Sequence, residues 1–120
     1  MTILKLQQQL KEFAEVRDWE QFHSPRNLAA ALSVEASELL EHFLWQDDAQ
    51  ASQPTDTEKK HEIAMEMADV FAYLLRMSEQ LDIDLEQALH DKMHINEQRY
   101  PADLVRGSAN KYNLYRQNKK

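Results

Sequence analysis

Cysteine is missing from this 120-residue chain, and with it go disulfides and thiolate metal sites. The compartment stays open on that count, with the cytoplasm as the expectation. Glycine occurs once and proline three times, a shortage of turn-forming residues that fits a compact, mostly helical protein. Long apolar runs are also lacking. Over residues 1–13 polar side chains interrupt every apolar stretch, so this segment reads neither as a signal peptide nor as a membrane span. Positive charge is scarce: fourteen Lys and Arg stand against twenty-one Asp and Glu, a net charge of −7. A phosphate backbone demands a basic face, so nucleic acid is not an expected partner. A small phosphorylated ligand remains open, because a divalent cation can bridge acid to acid.

Hydrophobic residues make up 42% of the chain, enough for the core of one domain covering 1–120. No repeat or second domain shows. Ile3, Leu6, Leu10, Phe13 and Val16 recur at helical spacing and predict a helix over residues 2–17. Residues 18–23 (DWEQFH) break the period with two aromatics. Ser24 is a favoured N-cap and Pro25 suits the first helical position, so a second helix is expected to run to about Trp45. Residues 46–56 are loop-like. A third helix is expected over 57–81, ended by Asp82-Ile83-Asp84. Asp84 and Gln87 then resemble a capping box for a fourth helix, which should carry Leu85, Leu89 and Met93 inward and stop before Pro101. Residues 101–120 turn basic and form an expected C-terminal arm. The fold class is thus all-α, with four amphipathic helices.

The second and third helices share an unusual arrangement. In the second, Leu28, Leu32, Leu39 and Phe43 form an apolar stripe, with Glu35, Glu38, His42 and Trp45 directly beside it. In the third, Ile63, Val70, Leu74 and Leu81 form the stripe, with Glu62, Glu66, Asp69 and Tyr73 alongside. Packing the stripes together brings Glu35, Glu38, Glu66 and Asp69 into one cleft. Four carboxylates at close quarters repel unless protons or cations intervene. Oxygen-only ligands select hard cations, Mg²⁺ or Mn²⁺, over zinc. Such a cation can bridge a triphosphate and polarise it. The plainer alternative is a set of solvated surface acids. A di-iron bundle needs inward-facing Glu-x-x-His pairs, and here Glu58-x-x-His61 turns its histidine well away from Glu66.

Trp19, Phe22 and His23, with Trp45 and Tyr73, can wall a slot for a flat base, or simply pack as core aromatics. Lys92, Asn96 and Arg99 recur on one face of the fourth helix. That face suits phosphate oxygens or merely solvent.

EASELLEHFLW (35–45), EMADVFAYLL (66–75) and KMHINEQRYP (92–101) resemble the all-α nucleotide pyrophosphohydrolases of the MazG type. Those enzymes carry ExxE followed by ExxD, and here twenty-seven residues separate the two. RDWEQFHSPRNL (17–28) and RGSANKY (106–112) are similar to the dCTP-hydrolysing branch of that family. The resemblance implies a four-helix bundle assembled as a homodimer or homotetramer. It implies hydrolysis between the α and β phosphates, with Mg²⁺ held by Glu35, Glu38, Glu66 and Asp69. Trp19, Glu20, Gln21, Phe22, His23, Trp45 and Tyr73 would meet the nucleotide, and Lys92, Asn96 and Arg99 the phosphates. The implied role is cleansing of the nucleotide pool, on dCTP or a 5-substituted dCTP. Two positions depart: Leu10 stands where that branch has a histidine touching the nucleotide, and Ser37 replaces a glycine. The competing expectations are the same chemistry on dUTP, an oxidised nucleotide or phosphoribosyl-ATP, and a non-enzymatic helical interaction module.

Overall fold

The computed structural model describes residues 1–44 and 57–107. Among these every regular element is helical. In chain order they are α1 (Ile3–Val16), a 3₁₀ turn (Glu20–Phe22), α2 (Pro25–Glu41), α3 (Thr57–Gln80), α4 (Leu85–Arg99) and the single turn α5 (Ala102–Val105). The expected loop over 46–56 lies outside the described residues, as does the arm beyond 107. No helix among the described residues is long and apolar enough to cross a membrane. The chain divides into two compact units, Met1–Ile83 and Asp84–Lys120.

Short polar side chains start the helices. The Thr2 hydroxyl accepts from the Lys5 amide at 3.2 Å, Ser24 from Asn27 at 3.2 Å, and Asp84 from Gln87 at 3.0 Å, each satisfying an amide the helix leaves unpaired. The capping box at Asp84 is half-formed, since the Gln87 side chain donates forward to Asp91 at 2.8 Å. The ends of α1 and α3 are twins. The amides of Asp18 and Trp19 donate back to the carbonyls of Glu15 and Ala14, and those of Asp82 and Ile83 to Glu79 and Ser78. This closure needs one left-handed residue, usually glycine. Here it falls to Asp18 (φ 56°) and Asp82 (φ 53°), and aspartate tolerates that region better than most side chains.

In the first unit α3 packs against both α2 and α1. Glu35 meets Glu66 while His42 meets Lys59, so residue numbers rise along α2 as their partners fall along α3. The pair is antiparallel. The core is Ala14, Leu28 and Leu75, each 1% exposed. The packing of the α3 stripe departs from expectation, and α1 shows why. On α1 the residue buried most deeply is Ala14, while Phe13 is 48% and Val16 82% exposed. On α3 the buried positions are Leu75, Arg76 and Ser78, whereas Leu74 and Leu81 are exposed. The cause is shared: α1 settles on the last turns of α3 through a small side chain and a polar link. Gln7 donates to the Ser78 hydroxyl at 2.8 Å, which donates to the Leu75 carbonyl at 2.7 Å.

The α2 helix stops at Glu41, four residues short of the expected end. Residues 42–44 form a turn in which the His42 and Phe43 amides reach back only three residues, to Leu39 and Leu40. In the second unit α4 buries none of its residues. Leu89 and Met93 are exposed and Leu85 is half-buried, so among the described residues the expected inward face is not buried. The other helix described in that unit is one turn long, too short to cover it.

Candidate functional site

The antiparallel α2–α3 pair supplies the site. Glu35 and Glu38, three apart, share a face of α2. Glu66 presents from α3, and carboxylate oxygens of the three lie within 4.8 Å of one another. All three residues are half-buried. An oxygen of Glu35 and one of Glu66, Oε2 in each, are fully buried with no hydrogen-bond partner. The Glu35 carboxyl as a whole is pushed up to about 7. Hydrogen bonding to Glu66 is the largest cause, burial the next, followed by the hydrogen bond and charge of Glu38 and the charge of Asp69. Buried, unpartnered oxygens within a cluster of three converging carboxylates fit a hard cation held by oxygen donors alone. Asp69 lies outside this set of three and is exposed, yet its charge reaches both Glu35 and Tyr73.

Tyr73 sits one turn beyond Asp69 on α3. Burial raises its phenol above the ordinary tyrosine value, and the charges of Glu35, Asp69 and Glu38 raise it further. It therefore stands within the field of the acids. One more turn along α3 comes Arg76. Its side chain is 4% exposed and bonds Glu79 at 2.7 Å, with Glu20 at 3.8 Å. The 3₁₀ turn leans on this guanidinium. Burial first and Arg76 second hold the His23 imidazole below its ordinary value, while Glu20 opposes. The His23 Nδ1 is buried and unpartnered.

The remaining expected nucleotide contacts are placed differently. Trp19 meets Phe13 edge-on at 5.7 Å between centroids, and Phe22 is 58% exposed. Gln21 turns back to the Asp18 carbonyl at 2.9 Å. Asn27 donates to the Phe22 carbonyl at 3.1 Å, tying the turn to α2. Trp45 lies outside the described residues. Lys92, Asn96 and Arg99 are exposed on α4, in the second unit.

Two groups escape a reading of the sequence alone. Arg76 is one; Lys59 is the other. Glu38, Glu41, His42, Lys59 and Glu66 line a cavity of about 350 Å³, and Lys59 Nζ lies 2.8 Å from His42 Nδ1. The available signal was spacing: Lys59 stands seven residues before Glu66 and Arg76 seven after Asp69, which keeps each on the same face of α3 as its acid.

The sequence pattern of the MazG-like family matches residues 30–114. The chain is 49% identical over 105 residues to dCTP pyrophosphatase 1 of Rattus norvegicus, covering 84% of this chain and 60% of that protein. To dCTP pyrophosphatase 1 of Homo sapiens it is 44% identical over 102 residues, with the same coverage. The chain thus spans about 60% of the length of these curated relatives. A crystal structure of a pyrophosphatase from Archaeoglobus fulgidus is similar with a TM-score of 0.75 and 37% identity, over 81% of this chain and 90% of that one.

Proposed function

The chain belongs to the MazG-like family, and from that premise we propose that it is a Mg²⁺-dependent nucleoside triphosphate diphosphatase. It hydrolyses a deoxynucleotide, dCTP or a 5-substituted dCTP, to the monophosphate and pyrophosphate, and so cleanses the nucleotide pool in the cytoplasm. The observation that carries this is the convergence of Glu35, Glu38 and Glu66, with a buried, unpartnered oxygen on Glu35 and on Glu66. The likeness to dCTP pyrophosphatases supports the substrate.

In this reading Glu35, Glu38 and Glu66, with Asp69 beside them, hold the cation. A bound Mg²⁺, or Mn²⁺ in its place, supplies Lewis-acid polarisation of the phosphate oxygens. A water attacks the α-phosphorus, the α–β anhydride bond breaks, and a carboxylate takes the water's proton. Glu41 and Glu62 stand with the four acids as candidates for that proton, and Glu41 lines the same cavity as Glu38 and Glu66. Tyr73, with Trp19, Glu20, Gln21, Phe22, His23 and Trp45, meets the nucleoside. Lys92, Asn96 and Arg99 hold phosphate oxygens.

The expected four-helix bundle is completed in a homodimer or homotetramer. Its support is the exposed apolar surface: Met67, Phe71 and Leu74 form a stripe on α3 that is exposed among the described residues. The deciding experiment incubates purified protein with a panel of deoxynucleoside triphosphates and Mg²⁺. Monophosphate and pyrophosphate as products support the proposal. Orthophosphate as sole product, or no turnover of any triphosphate, rejects it.

A further inference from the structure

The cavity beside the acids holds a basic group that the reading above does not use. Lys59 shares a face of α3 with Glu66 and lies two turns nearer the helix N-terminus, a rise of about 10 Å. His42 follows Glu38 by one turn, where α2 has just ended. Lys59 Nζ is 2.8 Å from His42 Nδ1 and 3.9 Å from Glu62.

An ammonium has only protons to give, so Nδ1 accepts and the imidazole carries its remaining proton on Nε2. The lysine is therefore held closely by a neutral ring. Its carboxylate neighbour Glu62 is 60% exposed and at the outer limit of an ion pair, where little charge is neutralised. Of the described residues lining the cavity, Glu38, Glu41 and Glu66 are acids and Lys59 is the base. An ammonium with charge to spare, and a ring N–H next to it, are donors suited to phosphate oxygens.

We infer that Lys59 and His42 seat the terminal phosphates of the triphosphate and hold the departing pyrophosphate. This rests on the diphosphatase reading and gives the substrate a direction along α3. The seat lies seven residues before Glu66, and Tyr73 lies seven after it. The phosphate chain points toward the N-terminus of α3, the nucleoside toward Tyr73.

The test is calorimetric titration of wild type, K59M, K59R and H42A with pyrophosphate in the presence of Mg²⁺, with melting temperatures recorded alongside. Lys59→Met weakens pyrophosphate binding about tenfold or more, the worth of a charge-assisted hydrogen bond. Lys59→Arg retains most of the affinity and His42→Ala loses part of it, with melting temperatures near wild type. Pyrophosphate bound equally by wild type and a folded K59M overturns the seat while leaving the diphosphatase reading intact. A wild type that neither turns over triphosphate nor binds pyrophosphate overturns both.

Discussion

Glu35 on α2 and Glu66 on α3 face one another across the helix pair, each with Oε2 buried and unpartnered. Two ionised carboxylates in that position repel, so a proton or a cation must stand between them. Which one is present depends on pH and metal, and both dependences can be measured.

Without metal, the Glu35 carboxyl titrates near 7 in the folded protein, against 4.5 ordinarily. The folded state therefore keeps a proton that the unfolded state has released over this interval, and stability falls as pH rises from about 4.5 to 7. Thermal melts in a chelator should show a loss of roughly 1–3 kcal/mol across that window, reduced from the full linkage value because the group is only partly buried. Glu35→Gln should flatten the profile. An equally steep profile in that variant would place the titration elsewhere.

Adding Mg²⁺ should reverse the loss. A ligand that binds only the folded state at a hundredfold excess over its Kd contributes about 2.7 kcal/mol, so melts at pH 7.5 should shift upward by several degrees. Glu38→Gln or Glu66→Gln should abolish the shift and lower triphosphate turnover by roughly a hundredfold or more, the scale of losing a principal electrostatic contact. An undiminished shift in both variants would remove these acids from the metal site.

Arg76 and Glu79 offer a test of stability. The guanidinium is buried and bonds Glu79 at 2.7 Å, while its Nε and Nη2 have no hydrogen-bond partner. Glu79→Ala leaves that buried charge only the longer pair with Glu20 at 3.8 Å, and up to about 3 kcal/mol should be lost in chemical denaturation. Arg76→Met removes the charge and keeps the volume, so it should cost less. It should also let the His23 imidazole rise toward its ordinary value, since Arg76 helps to hold it down. A histidine titration followed by NMR reads this directly.

Phe71, 43% exposed, sits between Met67 and Leu74 on the exposed stripe of α3. If subunits meet there, Phe71→Lys buries a charge in the interface and should shift the mass measured by light scattering toward the monomer. Because the side chain is exposed in the lone chain, the monomer itself should lose less than about 1 kcal/mol. An unchanged assembly would move the interface to another face.

Much of this was legible along the chain. Thr2, Ser24 and Asp84 announce helix starts because a short polar side chain can reach an amide three residues on, a purely local event. Glu35 with Glu38, and Glu66 with Asp69, could be placed together because i,i+3 spacing fixes a shared face. Neighbouring apolar stripes then fix which faces meet. Local rules fail where another element decides burial. Leu74 and Leu81 fit the period of α3, yet Leu75, Arg76 and Ser78 are buried because α1 arrives at that side. Lys59 had no visible role until α2 ended at Glu41 and its His42 came within 2.8 Å.

The order of amino acids by itself determined where the helices begin, their N-caps and the acid-bearing faces, because each follows from contacts within one or two turns of backbone. Tertiary packing alone decided that three of the acids share a space of 4.8 Å, that an arginine is buried beside the 3₁₀ turn, and that a lysine stands at the far side of the cavity. Those are distances between segments remote in sequence. They depend on how helices dock, which the period of any one helix does not encode.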